Sequence, residues 1–174
     1  MWIIVPIRQY KEKYFYFFLS WVSADILTIP ARLIFHSQTN FFYAPCAFLA
    51  LLSLQSNNLL RKYWIIITIF FIAVCLLSLQ KELWVITVSV IHLSILFFFL
   101  KEIIVTYTKN YQVMIFVLVL LFYELTVVAK YLNYFTGFTN NYHYFIITAI
   151  FEAIFGIFFI IFKADNRRLI FQFK

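Results

Sequence analysis

Apolar residues gather in six continuous runs along the 174-residue chain, at about 14–35, 41–56, 63–79, 83–100, 112–132 and 142–162. Within each run the apolar positions are unbroken and do not alternate. That pattern predicts helices and not the strands of a barrel. Crossing ~30 Å of hydrocarbon takes ~20 apolar residues. The second, third and fourth runs are a little short, a mismatch that a bilayer absorbs at modest cost. The expected fold is an all-α integral membrane protein: one polytopic domain over residues 1–174, built as a bundle of six transmembrane helices.

Charge tests the weakest run, 41–56. If all six runs cross, one side of the membrane holds eleven Lys and Arg residues and the other holds only Arg32, Lys81 and Lys130. If run 41–56 does not cross, the split becomes five against nine. Cytoplasmic loops carry the excess of basic residues, which favours six crossings with both termini cytoplasmic. Aromatic rings prefer the interface. Tyr63, Trp64 and Trp84 open runs three and four, and Tyr131, Tyr134, Tyr142 and Tyr144 bracket the last outer loop. The link at 80–82 is short enough to make a tight antiparallel hairpin, and 133–141 has the Asn and Gly of a turn. The basic tail from Lys163 has apolar spacing suited to the cytoplasmic leaflet, where each cation gains about 1 kcal/mol near anionic lipid.

Composition agrees. Apolar residues make up 65% and charged residues 12%, against roughly 45–50% and about 25% in soluble domains. Mean hydropathy is +0.93. Disorder, a coiled coil, a basic nucleic-acid-binding domain and an ordinary soluble enzyme are excluded. The +7 net charge reads as topology and lipid attraction, with no nucleic-acid partner. Cys46 and Cys75 both fall within apolar runs and behave as small hydrophobes. The opening MWIIVPIRQYKEK does not fit a signal peptide, because its charges follow the apolar run instead of preceding it. The wealth of Phe, Tyr, Ile and Asn matches AT-rich codons. The expected location is a multi-pass position in a bacterial cytoplasmic (inner) membrane.

Chemistry has to lie within the runs. Asp25, Glu124, Glu152 and His92 each sit near the middle of one, within roughly 5 Å of the midplane at 1.5 Å per residue. A charged Asp there costs ~2.5–3.5 kcal/mol, and each Leu, Ile, Phe or Val returns ~0.3–0.6 kcal/mol. Each helix can therefore insert, and its acid should then face protein or water. Asp25, Thr28 and Arg32 follow i, i+3, i+7 on one face. Pro30 frees the carbonyl of Ile26 beside them. Carboxylate, hydroxyl and carbonyl together are cation-ligand chemistry; the alternative is a kinked helix with one satisfied acid. Arg32 can snorkel outward or serve as counter-charge. Thr148, Glu152 and Gly156 align at i, i+4, i+8 as a face for close helix approach. Glu124 and Lys130 are six apart and point away from each other. Glu124 therefore needs a partner on another helix, with His92 and Arg32 as candidates, and Lys130 should reach the outer interface. Ser89 shares the His92 face, while His36 and His143 look incidental at the outer edge.

No nucleophile motif, phosphate loop, redox pair or metal spacing is present, so neither enzyme chemistry nor a cofactor is expected. Two readings remain. One is a non-catalytic membrane subunit, anchor or sensor module, with a homo-oligomer or membrane-protein partner. The other is a small proton- or cation-coupled transporter or channel, its path formed by Asp25, His92, Glu124 and Glu152 with Arg32 and Thr28. Only Gly137, Gly156 and three prolines are available to break helices, which favours the first.

Overall fold

The computed structural model describes residues 2–35, 40–80, 83–137 and 141–173. A short helix α1 (Ile4–Arg8) precedes α2 (Phe15–Phe35). A 3₁₀ turn at Asn40–Phe42 leads into α3 (Tyr43–Ser53), and α4 (Asn57–Lys62) links it to α5 (Trp64–Ser78). Then come α6 (Leu83–Asn110), strand β1 (Gln112–Met114), α7 (Ile115–Thr136) and α8 (Asn141–Ile161), with strand β2 (Ile170–Gln172) near the end. The chain is a mostly helical membrane protein. Helices α6 and α7, and the stretch His143–Ile161 of α8, are long and apolar enough to cross a bilayer; Phe15–Ala31, α3 and α5 are shorter apolar helices.

Each apolar run contains a helix, but several boundaries move. Helix α3 has 11 residues, about 16 Å at 1.5 Å per residue, or roughly half the ~30 Å of hydrocarbon. Run 41–56 is shortened by the 3₁₀ turn before it and by the helix end at Ser53. Helix α6 instead continues to Asn110, ten residues past the apolar run, and carries Lys101, Glu102 and Lys109 beyond the hydrocarbon. The first residues of run 112–132 are not helical. Gln112–Met114 pairs antiparallel with Ile170–Gln172, so the basic tail folds back on the α6–α7 link. This small ladder is a β element in a fold read as all-α. Helix α7 ends on Gly137, whose φ of 62° forms a left-handed cap. The turn at 81–82 lies outside the described residues, although α5 and α6 do pack together.

Helix α6 packs against α3, α5 and α7; α7 packs on α8, and α2 on α3. Helix α1 lies against both α2 and α8 and wedges between them. The last carbonyls of a helix lack partners within it, and α1 supplies partners for α8. Gln9 Nε2 donates to the carbonyls of Phe159 and Phe162, each at 2.7 Å, and Gln9 Oε1 accepts from the Ala164 N–H at 3.3 Å. Arg8 Nε donates to the carbonyl of Ile160 at 3.2 Å. Above this latch sits a core of interlocked rings. Tyr14 stacks on Phe116 with centroids 5.7 Å apart, Phe18 meets Phe159 at 5.0 Å, and Phe116 meets Phe159 at 5.3 Å. The core thus fills the end that carries α1 and the C-terminal tail, called here the basic end.

Outward faces are apolar, as a lipid environment requires. Ile65, Ile69, Phe70, Ile72 and Leu76 of α5 and Ile147, Ile150, Ile154 and Ile157 of α8 are all exposed. Hydroxyls on the helices turn back on their own backbone: those of Ser20, Ser23, Thr68, Thr87, Ser89, Ser94 and Thr126 each donate to the carbonyl four residues earlier. Polar content at these positions is thereby hidden from lipid.

Helix α3 approaches its neighbours through Ala44, Ala47 and Ala50, all fully buried and three residues apart. Ala47→Leu is expected to destabilise the fold by about 1–3 kcal/mol through overpacking. The exposed Leu49→Ala should stay within about 0.5 kcal/mol. Unfolding in mixed micelles at rising denaturant measures both.

Candidate functional site

Where the basic end is packed with rings, the opposite half of the bundle holds a cavity of about 410 Å³. Clefts of roughly 300–1,000 Å³ hold drug-sized molecules. Helix α2 supplies Trp21, Val22 and Asp25 from a single turn. Helix α7 supplies Tyr123, Val127, Lys130, Tyr131 and Tyr134, whose three- and four-residue spacing lays them along one stripe. Phe145 and Glu152 face them from α8, two turns apart on the same side. Tyr43, the first residue of α3, and Trp84, near the start of α6, complete the wall. Trp2, just before α1, forms the floor, with its ring 5.1 Å from Tyr123 and 6.4 Å from Phe159. The cavity therefore lies between α2 and α8, and the wedge of α1 closes its basic end.

Three charged groups line it. Lys130 Nζ donates to Glu152 Oε1 at 3.0 Å, with both side chains partly exposed. The same ammonium stands 5.7 Å from the centre of the Phe145 ring. Lys130 thus turns toward an acid of α8. A register of seven residues within α8 carries Glu152 to its depth, which spacing along α7 alone does not reveal. Asp25 Oδ1 accepts from the Tyr43 hydroxyl at a long 3.4 Å. Asp25 is exposed at the cavity edge.

Behind the wall lies a second polar cluster, isolated from the first. His92 Nδ1 and Glu124 Oε2 are 2.7 Å apart, and both side chains are fully buried. The imidazole is sandwiched between the ring of Trp21, 4.7 Å away and inclined by 28°, and the ring of Tyr131, 5.5 Å away and inclined by 24°. Those two rings belong to the cavity wall as well. Among the described residues, His92 Nε2, Glu124 Oε1 and Trp21 Nε1 are buried with no hydrogen-bond partner. The pair therefore retains one nitrogen and one oxygen that could exchange a proton.

The residues singled out from the sequence divide accordingly. Asp25 and Glu152 both line the cavity, as does Lys130. His92 and Glu124 pair with each other, so Glu124 takes one of the two partners put forward for it. Thr28 is buried, donates to the carbonyl of Ala24 at 2.7 Å and does not line the cavity. The side chain of Arg32 and the whole of His36 lie outside the described residues. Thr148 is buried and its hydroxyl is shared between the carbonyls of Tyr144 and Phe145; Gly156 is buried too. His143 is exposed near the start of α8. Among the described residues no three His, Cys, Asp or Glu side chains stand together as a metal site.

Sequence reasoning missed the aromatic wall. Its signal was present: Trp84, Tyr131 and Tyr134 mark the ends of apolar runs. An interfacial anchor and a cavity lining carry the same signature until the neighbouring helices are known.

Leaving one partner of a buried hydrogen bond unsatisfied costs about 1–3 kcal/mol, whereas replacing both partners by apolar groups can be close to neutral. His92→Leu or Glu124→Leu alone should therefore destabilise by about 1–3 kcal/mol. The double change should cost much less than the sum, and a double-mutant cycle in micelles reads the difference.

Comparison of the chain with protein-family models, with curated proteins and with solved structures gives no match.

Proposed function

We propose that this chain is a six-span protein of a bacterial cytoplasmic membrane, with both termini cytoplasmic, that acts as a non-catalytic sensor or subunit module. Its outer half receives a small molecule and its basic end faces partners or anionic lipid. The observation that carries this reading is a dead-ended cavity. Asp25, Lys130 and Glu152 come from three helices into a pocket of binding size. Below it, Trp2 and the buried Phe18, Phe116 and Phe159 fill the route to the other side. A continuous path for ions would have to pass these rings, and at that end Glu102 Oε1 is engaged by Lys13 and Tyr14 and Glu12 by Lys163.

A connection from the cavity to the basic end supports the sensor form. Trp2 is the cavity floor and stands two residues before α1, and α1 passes directly into the Gln9 latch on α8. A guest that shifts Trp2 would shift the latch with it.

One observation favours a second reading. The His92–Glu124 pair lies one ring behind the cavity with capacity for a proton, as a proton-coupled carrier would need. Proteoliposome flux separates the two. The module reading expects no proton or monovalent-cation flux above empty liposomes under any gradient. Flux that disappears in the folded, inserted triple variant Asp25→Asn, Glu124→Gln, Glu152→Gln would hand the protein to the carrier reading.

Topology has its own test. Gln55→Cys and Gln80→Cys, made with Cys46 and Cys75 replaced by Ala, should react with impermeant maleimide from opposite sides of sealed vesicles. Labelling from one side only would remove a crossing from the count.

A further inference from the structure

The shape and charge of the cavity narrow what it can hold, and the argument rests on the binding-module reading above. Its charged groups are two carboxylates and one ammonium. Lys130 is committed to Glu152 at 3.0 Å. Asp25 takes a long hydrogen bond from the Tyr43 hydroxyl and only a through-space attraction from that already committed ammonium. Among the described residues the site is thus one positive charge short. A carboxylate at that depth is costly without a counter-charge. The rest of the lining is dominated by aromatic rings, among them Trp21, Tyr43, Trp84, Tyr131, Tyr134 and Phe145. The face of such a ring carries negative potential and attracts cations, organic ammonium ions above all. One ammonium already uses this property, since Lys130 lies over Phe145. A bare metal ion would want several oxygen ligands, and Thr28, the nearest hydroxyl on the Asp25 face, is spent on its own helix. An anion would meet Asp25 and the ring faces unfavourably.

We infer that the cavity binds an organic ammonium carried on an apolar body, with the cationic nitrogen at Asp25 and the body among the rings. The cavity of about 410 Å³ is too large for ammonia or methylamine alone and suits an arylalkylamine or the ammonium headgroup of a lipid with the start of its glycerol. Both sources share the same chemistry. The acid sets charge preference and the rings set the requirement for apolar bulk.

Tryptophan fluorescence reads the site directly. Trp2, Trp21 and Trp84 line the cavity, and the remaining Trp64 is exposed on α5 and can be removed as Trp64→Phe. That variant, in nanodiscs of phosphatidylglycerol, which lacks an ammonium headgroup, is titrated with phenethylammonium, 2-phenylethanol and phenylacetate. The ammonium should bind at least about tenfold tighter than the alcohol, and phenylacetate weakest. Asp25→Asn should erase the preference while leaving weak binding of the alcohol, and Asp25→Glu should restore it. Circular dichroism checks that each variant is folded. Repeating the titration in phosphatidylethanolamine discs assigns the source. Weakened phenethylammonium binding identifies the lipid headgroup as occupant, and unchanged binding identifies a soluble amine. Equal affinity for ammonium and alcohol overturns the ammonium assignment but leaves a binding cavity. No response to any of the three probes overturns the binding-module reading itself, and this inference with it.

Discussion

An acid placed among helices in hydrocarbon has to be matched inside the protein, and that constraint organises the bundle. Each match ties different elements. Glu124 on α7 takes His92 on α6, and Glu152 on α8 takes Lys130 on α7. Asp25 on α2 takes Tyr43 on α3, and past the apolar run Glu102 on α6 takes Lys13 and Tyr14 at the foot of α2. Glu12 and Lys163 join the segments flanking α1 and α8 at 3.2 Å. Lipid tails are as apolar as leucine, so apolar residues alone give helices little reason to choose one neighbour over another. Polar pairs supply that choice here. Aromatic packing then fills the space that they define.

Between α2 and α8 space is filled unequally. At the basic end, phenylalanines from four elements interlock and the Gln9 latch ends α8. At the other end, α2 and α8 are held apart by the cavity. The division follows from α1, which is only five residues long and so wedges the two helices over part of their length. The cavity is the volume left above a short wedge.

Much of this was legible in the sequence, and the limits have physical causes. All six apolar runs contain a helix because hydropathy reports where backbone must satisfy itself within one segment. Hydropathy marks the edge of the hydrocarbon, not the end of a helix, so the extra ten residues of α6 escaped it. Spacing along α7 correctly separated Glu124 from Lys130, since the helical period alone decides that. It could not give Lys130 its partner on α8, because that depends on how two helices slide past each other. Helix α1 and the Gln112–Met114 ladder with Ile170–Gln172 were invisible for a related reason: a five-residue helix and three-residue strands take their stability from tertiary contacts, not from local pattern. The aromatic cavity was hidden in plain composition, its rings already accounted for as interface anchors.

The helices also differ in length, and this affects the lipid as well as the fold. Helix α5, whose side chains face outward along most of its course, has 15 residues, about 22 Å, while α6 beside it has 28, about 42 Å. The apolar part of α6, residues 83–100, matches a bilayer of ~30 Å, and α5 falls short of it. Along the α5 face the leaflets must be drawn together, and the dimple spreads into the surrounding lipid at a cost for every ångström of mismatch. Two such dimples cost less merged than apart. Copies of this protein, or any neighbour with an equally short outer helix, would be drawn together through the elasticity of the membrane, and the protein would favour the thinner parts of it.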